Sequence, residues 1–278
     1  MKKILFISVL IITASFASEW KNELIAGINM TQNSNHNWTA GGEDAIVWQA
    51  SLKGSSVGKF DLFNWKNQGE LAYGRTRLGD EDSRKHLDKI FFESLVDYNL
   101  LNTVKPYLAG RVESQFTKSF EYDAPEDFVG EYEPVAISNF WDPGYTIEAV
   151  GISWLPHDIF NTRLGFAMKQ TYSAKYGWAD DAKTADKVET FKNEPGLESI
   201  SELNISWTDI LKYQSRLSIF ANFKGVKEID GRWENTLNAQ VAKYLVFSAG
   251  FEMLYDRDLS VDSQMRQYLT VGLTFQLL

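Results

Sequence analysis

The residues that could do chemistry are few. The chain holds three histidines, His36, His86 and His157, and no cysteine. Without cysteine there is no disulfide framework, no thiolate metal site and no thiol nucleophile. A serine nucleophile needs a base beside it, usually histidine. His36 and His86 fall in polar connections and His157 in a short turn, so a Ser–His pair could form only through loops. Asp123, Glu126, Asp127 and Glu131 could supply the paired acids of a rim protease, but such a charge run is ordinarily a solvated loop. Glu121, Asp123, Glu126 and Asp127, or Asp180 and Asp181, could gather Ca²⁺. Neither run has the glycine-pinned spacing of a calcium loop. The expectation is therefore no enzyme, no catalytic set, no metal and no cofactor.

A second set of charges is better placed. Glu70, Glu93, Arg111, Glu202 and Arg216 lie on the polar side of alternating stretches, at similar height above short turns. Isolated charges facing inward are costly and should pair. Arg111 is expected to meet Glu93 or Glu70, and Arg216 to meet Glu202. Such a layer either holds a barrel together or forms a charged constriction in a solute pore.

The elements that must carry these charges are read from a period of two. From Gln264 to Leu278, Leu269, Val271, Leu273, Phe275 and Leu277 fall on one face, and Tyr268, Thr270, Gly272, Thr274 and Gln276 on the other. Twelve such strands are predicted: Trp20–Gln32, Asp44–Gly54, Trp65–Arg77, Leu87–Tyr98, Lys105–Phe120, Tyr145–Leu155, Phe160–Tyr172, Leu197–Trp207, Lys212–Lys224, Arg232–Ala242, Leu245–Tyr255 and Gln264–Leu278. Strands of this length can cross a bilayer at a tilt, which takes ~9–11 residues. Odd-numbered connections are mostly long and even-numbered ones mostly short, with Ser55–Asn64 the exception. That asymmetry marks an outer-membrane barrel. A secreted sandwich or calyx would also alternate, but loops that differ by side fit it poorly.

The predicted fold is all-β, a transmembrane antiparallel up-and-down β-barrel of about twelve strands. The first and last strands should pair and leave no edge. Leu217, Ile219, Leu237, Val241, Phe247, Phe251, Leu269, Val271 and Leu273 should face lipid; Arg216, Glu234, Asn238, Glu252, Thr270 and Gln276 should face the lumen. In the sixth strand Ile147, Ala149 and Leu155 form the apolar face. Trp65, Tyr98, Tyr107, Trp154, Trp207 and Tyr213 should form one aromatic girdle, and Tyr73, Trp233 and Tyr255 the other.

Composition agrees. A net charge of −9 argues against nucleic acid. Met1-Lys-Lys, an apolar run and Ser-Phe-Ala17 read as a signal peptide over residues 1–17, leaving 18–278 as one barrel domain. No later apolar run is long enough for a transmembrane helix.

The motif Asn37-Trp-Thr-Ala-Gly-Gly-Glu-Asp44 resembles one in an uncharacterised family of Gram-negative outer-membrane barrels, known only as a domain of unknown function. Lys85-His-Leu-Asp88, Glu113-Ser-Gln-Phe116, Ile137-Ser-Asn-Phe140, Asp142-Pro-Gly144, Gly151-Ile-Ser-Trp-Leu-Pro156 and Lys169-Gln-Thr171 resemble further pieces in order. The likeness runs from about residue 37 to 172. Glu113-Ser departs from the family's Thr before Gln115, and Trp154 from its usual Tyr. The resemblance implies fold and location, and no activity.

On this topology most family-like residues cluster at the outer mouth. Trp38, Gly41, Gly42 and Glu43 would lie in the first outer loop, with Lys85, Asp88, Gln115, Thr117, Lys169 and Thr171 beneath. They either fix the loop turns or form a vestibule under a Trp38 lid. The function expected is a narrow channel or uptake pore for a small polar solute. The alternative is a structural or envelope-assembly barrel with a plugged lumen and partner-binding outer loops. Expected partners are outer-membrane lipid and lipopolysaccharide, the barrel-assembly machinery and the solute.

Overall fold

The computed structural model describes residues 19–34, 44–122, 124, 128, 130, 132–180, 188–224, 229–256 and 262–278. The predicted signal peptide and the double-glycine motif lie outside these residues. The strands are β1 (Glu19–Asn33), β2 (Ala45–Lys59), β3 (Phe63–Leu78), β4 (Arg84–Tyr98), β5 (Val104–Ser114), β6 (Ser119–Glu121), β7 (Val135–Ser138), β8 (Gly144–His157), β9 (Phe160–Tyr172), β10 (Phe191–Ser206), β11 (Leu211–Asn222), β12 (Ile229–Gln240), β13 (Leu245–Tyr255) and β14 (Gln264–Gln276). Twelve of them close into an antiparallel barrel, and β6 and β7 form a separate hairpin in the third outer connection. The barrel is the expected one. No helix among the described residues is long and apolar enough to cross a membrane, which says nothing of strands.

Alternation explains the wall. Leu269, Val271 and Leu273 are 72%, 50% and 44% exposed on the outside, while Thr270 between them is half-buried. Large exposed apolar side chains recur around the wall, such as Ile28, Leu108, Val150, Phe166 and Ile219. A surface like this is built for hydrocarbon rather than water. Glu148 is an exposed carboxylate on the same side of β8 as Val150. It sits four residues above the strand's outer start, where a charge costs less than at the midplane.

Several expectations are corrected. The exceptional second connection disappears: β2 runs on to Lys59 and β3 starts at Phe63, leaving a tight turn. Ser55, Ser56 and Gly58 look like loop residues, yet Gly58 gives Trp20 room to lie on the sheet, with a Cβ there falling 2.8 Å from the indole. The fifth strand ends at Ser114, not Phe120; β6 pairs only with β7. In β8 the apolar face is reversed. Ile147 and Ala149 pack inside, while Val150, Ile152 and Trp154 face out. Tyr107 is buried inside rather than in a girdle, whereas Trp154 and Trp207 do stay exposed near the short turns. β10 starts six residues earlier than predicted. Pro195-Gly196 reads as a turn, but Pro195 lies just beyond the last β11 pair and need not donate there.

Closure is shorter than expected. β1 and β14 pair from Ile25–Gln276 to Asn29–Gly272, while β1 and β2 pair along all of β1. The Asn29 side chain lies over Gly272 at the top of this seam.

Arginine at Val271 is expected to destabilise the barrel by about 2–4 kcal/mol if that position lies near the midplane, and arginine at Thr270 by much less. Urea titration of both variants in lipid checks this. Equal losses would contradict the facing.

Candidate functional site

Residues two or four apart on a strand share its inner face, which puts a column of charges on each wall. β4 contributes Lys89 and Glu93, β5 Arg111 and Glu113, β9 Arg163 and Lys169. β10 contributes Glu194, Glu198 and Glu202, β11 Arg216, and β12 Asp230, Arg232 and Glu234.

These columns meet at Glu93, which is 4% exposed. Its Oε2 pairs with the Arg163 guanidinium, with Arg216 Nη2 at 3.3 Å and with Arg111 Nη1 at 3.7 Å. Gln68 Nε2 donates to its Oε1 at 2.9 Å. The cations are shared in turn. Arg216 also pairs with Glu202. Arg111 reaches Glu198 at 2.6 Å and Glu113 at 3.3 Å. Glu70 is not a partner of Arg111; it lies between Lys53 at 3.2 Å and Lys89 at 2.8 Å. Arg163 and Glu113 stood on the correct face in the sequence but were not chosen. Glu198 also lies on that face, in the predicted strand Leu197–Trp207, whereas Glu194 falls in the connection predicted before it.

The ring order shows what these pairs do. β4 and β11 stand five strands apart in a ring of twelve, so Arg216 and Glu93 meet across the lumen. Arg232 and Glu113 at 3.2 Å cross from β12 to β5, also five strands apart. Lys89 and Glu234, on opposite walls, approach to 3.9 Å. On one side the interior is packed solid by Leu95, Tyr107, Ala109, Ala149, Ala167 and Phe220, with Ile147 against them.

The other side is open. A cavity of about 640 Å³ reaches from Glu23, Asn204 and Gln214, near the short-turn ends, to Lys169, Asp230 and Asp256 near the outer ends.

The outer-mouth set divides. Lys169 lines the cavity and pairs with Asp230 at 2.6 Å and Asp256 at 3.9 Å. Thr171 is buried two residues on. Lys85, Asp88, Gln115 and Thr117 instead bind one another. The Asp88 carboxylate accepts from Lys85 Nζ at 2.8 Å, from the Phe116 and Thr117 amides at 2.7 and 3.0 Å, and from Thr117 Oγ1 at 2.9 Å. Lys85 Nζ also reaches Gln115 Oε1 at 3.4 Å. A bulge opposite Gly74 and Arg75 inserts His86, so Lys85 and Asp88 share the face that continues as Ile90 and Phe92. That face lines the outside, not the lumen. Trp38, Gly41, Gly42 and Glu43 lie outside the described residues.

Another carboxylate not singled out in the sequence is Asp142. It accepts from Ser173 Oγ at 2.6 Å and from the Ala174 and Lys175 amides at 3.1 and 2.9 Å, tying the third outer connection to the fourth. His86 lies within β4, not in a loop, 3.5 Å from Gln49 Oε1. His157 ends β8. Among the described residues no group of three or more His, Asp or Glu is placed to hold a metal. Asp123, Glu126, Asp127, Glu131 and Asp181 lie outside them, as does His36.

A family described as "Protein of unknown function (DUF3078)" matches residues 30–120. That span takes in the double-glycine motif, Lys85–Asp88 and Glu113–Phe116, and stops short of the later pieces. No curated protein matches. Among solved structures, the translocator domain of autotransporter NalP from Neisseria meningitidis is similar at 7% identity, with 97% of this chain and 94% of that one covered and a TM-score of 0.37. The NanC porin is similar at 9% identity, 92% and 100% coverage and 0.43. An outer membrane channel from Pseudomonas putida F1 is similar at 7%, 94% and 97%, and 0.43.

Glu93→Gln should cost about 3–5 kcal/mol, because it leaves buried guanidiniums short of a counter-charge. Lys53→Gln, whose side chain is 61% exposed, should cost under ~1 kcal/mol. Unfolding of both variants in lipid tests the contrast. Asp88→Ala should free residues 116–118 and speed proteolysis between Thr117 and Gly144 several-fold, with the barrel core intact.

Proposed function

We propose that the protein is a narrow outer-membrane channel that passes small polar solutes beside a charged constriction. The observation that carries this is the cavity, which reaches from the short-turn ends to the outer ends of the strands while the other side of the lumen is packed. Its wall mixes carboxylates, cations, amides and hydroxyls, which can replace a solute's lost hydration in both signs. The apolar outer wall fits a bilayer, and the polar interior fits a wet passage. The ion pairs across the lumen set the width. Each bridges walls that would otherwise stand apart, so the passage runs beside them rather than through the centre.

Glu70, Glu93, Arg111, Glu202 and Arg216, with Arg163 and Glu198, are then the fixed side of the constriction. Lys169 and Thr171 belong to its outer approach. Lys85, Asp88, Gln115 and Thr117 hold the rim that shapes the mouth. Lipopolysaccharide would surround the outer connections, and the barrel-assembly machinery would insert the chain. No catalytic role is assigned to any residue. The same cross-lumen pairs favour a second reading, a plugged structural barrel, and one measurement separates the two.

Liposomes carrying the folded protein should swell in glycerol-sized polar solutes and not in trisaccharides. Widening the constriction by Arg216→Ala should admit larger solutes. Absence of swelling with the smallest solutes would establish the plugged barrel instead.

A further inference from the structure

We infer that the outer half of the β1–β14 seam is a lateral opening between the lumen and the outer leaflet, and that it takes a single-chain amphiphile. Such an opening goes beyond the channel reading: it needs the barrel to sit in a bilayer, whether or not the cavity conducts. β1 and β14 are joined by five registered pairs, whereas the next shortest join in the ring, between β4 and β5, has eight. Pairing stops at Asn29–Gly272, yet both strands go on, β1 to Asn33 and β14 up to Gln264. Above Gly272, β14 keeps β13 on one side and among the described residues has no strand paired on the other. Matching side chains do not explain the stop. Carried on in the same register, Met30 would meet Val271 on the outside and Thr31 would meet Thr270 on the inside.

Side chains are instead arranged along the gap. Asn29 lies over Gly272 and makes its floor. The Tyr268 ring turns away from β1 and lies where a Cβ of Gly250 on β13 would stand, with its hydroxyl 3.4 Å from Thr236 Oγ1. Thr31 and Tyr268 belong to the inner face and are both exposed. Depth gives the gap its chemistry. Met30, Leu269 and Val271 beside it are exposed apolar residues of the lipid-facing wall. An open sheet edge is not tolerated against hydrocarbon, because its amides and carbonyls find no water there. Whatever fills the gap must offer hydrogen bonds to the edges and to Thr31 and Thr270, and apolar surface to Met30, Leu269 and Val271. An amphiphile does both, with its head toward the lumen and its chain toward the leaflet. Neighbouring strands lie ~4.8 Å apart, so a seam parted by one further spacing has the width of one hydrocarbon chain.

The chain has no cysteine, so introduced cysteines report without background in the folded full-length protein in phosphatidylcholine vesicles. Met30→Cys with Val271→Cys spans the gap; Ile28→Cys with Leu273→Cys is the registered pair of the same kind just below it. A disulfide needs Cα atoms within ~7 Å, so under copper–phenanthroline oxidation the lower pair should close and the upper pair should close at least about tenfold more slowly. A bimane fluorophore on Thr270→Cys should be quenched by stearate carrying a nitroxide near its carboxylate. The quenching should be several-fold steeper than for bimane on Ser218→Cys, which lines the cavity from a wall paired on both sides. Equal closure of the two cysteine pairs overturns the opening. An upper pair that stays apart while Thr270 and Ser218 are quenched alike overturns the amphiphile. Should a double variant fail to fold, the two single variants decide alone, and equal quenching overturns the inference. Each of these failures leaves the channel reading standing, because swelling by small solutes does not depend on the seam.

Discussion

The interior is organised around one buried carboxylate. Glu93 is reached by guanidiniums from β5, β9 and β11, one from the adjacent strand, one from three strands away and one from across the lumen. A single ion pair at such depth would barely repay its desolvation. Here the guanidinium donors are distributed over Glu93, Glu198, Glu202 and Glu113, so charge is neutralised over a network rather than pair by pair. The inner faces of a membrane barrel are free to be polar only because the outer faces satisfy the hydrocarbon. Once they are polar and crowded, they must satisfy one another.

That network also divides the lumen. Next to it, on the β4, β5, β8, β9 and β11 side, the inner faces turn small and apolar, and Tyr107 and Phe220 fill the space. Glycine makes this fit possible at one point: a Cβ at Gly196 would stand 2.7 Å from the Phe220 ring. Ion pairs then span what packing leaves, and the cavity is confined to the remaining side. The width and the polarity of the cavity thus come from one arrangement.

The outer rim follows a different logic. Asp88 and Asp142 each gather two backbone amides and a hydroxyl from a passing segment. Carboxylates used in this way order a connection without any apolar core, because charge-assisted bonds are the strong ones. The Trp178 indole adds a bond to the Ile137 carbonyl, a further tie between the described parts of the third and fourth connections. A rim held in this way fixes the shape of the mouth independently of the charge network inside.

The sequence by itself determined the number of barrel strands, most of their outward faces and the side on which long connections lie. Those are local properties: a period of two is written in consecutive residues, and Leu269, Val271 and Leu273 declare their face without reference to any partner. It also placed Glu93, Arg111, Glu202 and Arg216 on the inner face for the same reason. Only the tertiary structure decided who pairs with whom, since Arg163 and Arg216 lie 70 and 123 residues from Glu93. Their meeting depends on ring order and stagger, which no single strand encodes. It likewise decided that Lys85 joins Asp88 at the rim rather than facing the lumen, because one bulge at His86 shifts Lys85 onto the face of Asp88, Ile90 and Phe92. It decided too that Ile147 and Ala149 point inward, because an apolar residue suits either lipid or a packed lumen and only its neighbours distinguish the two.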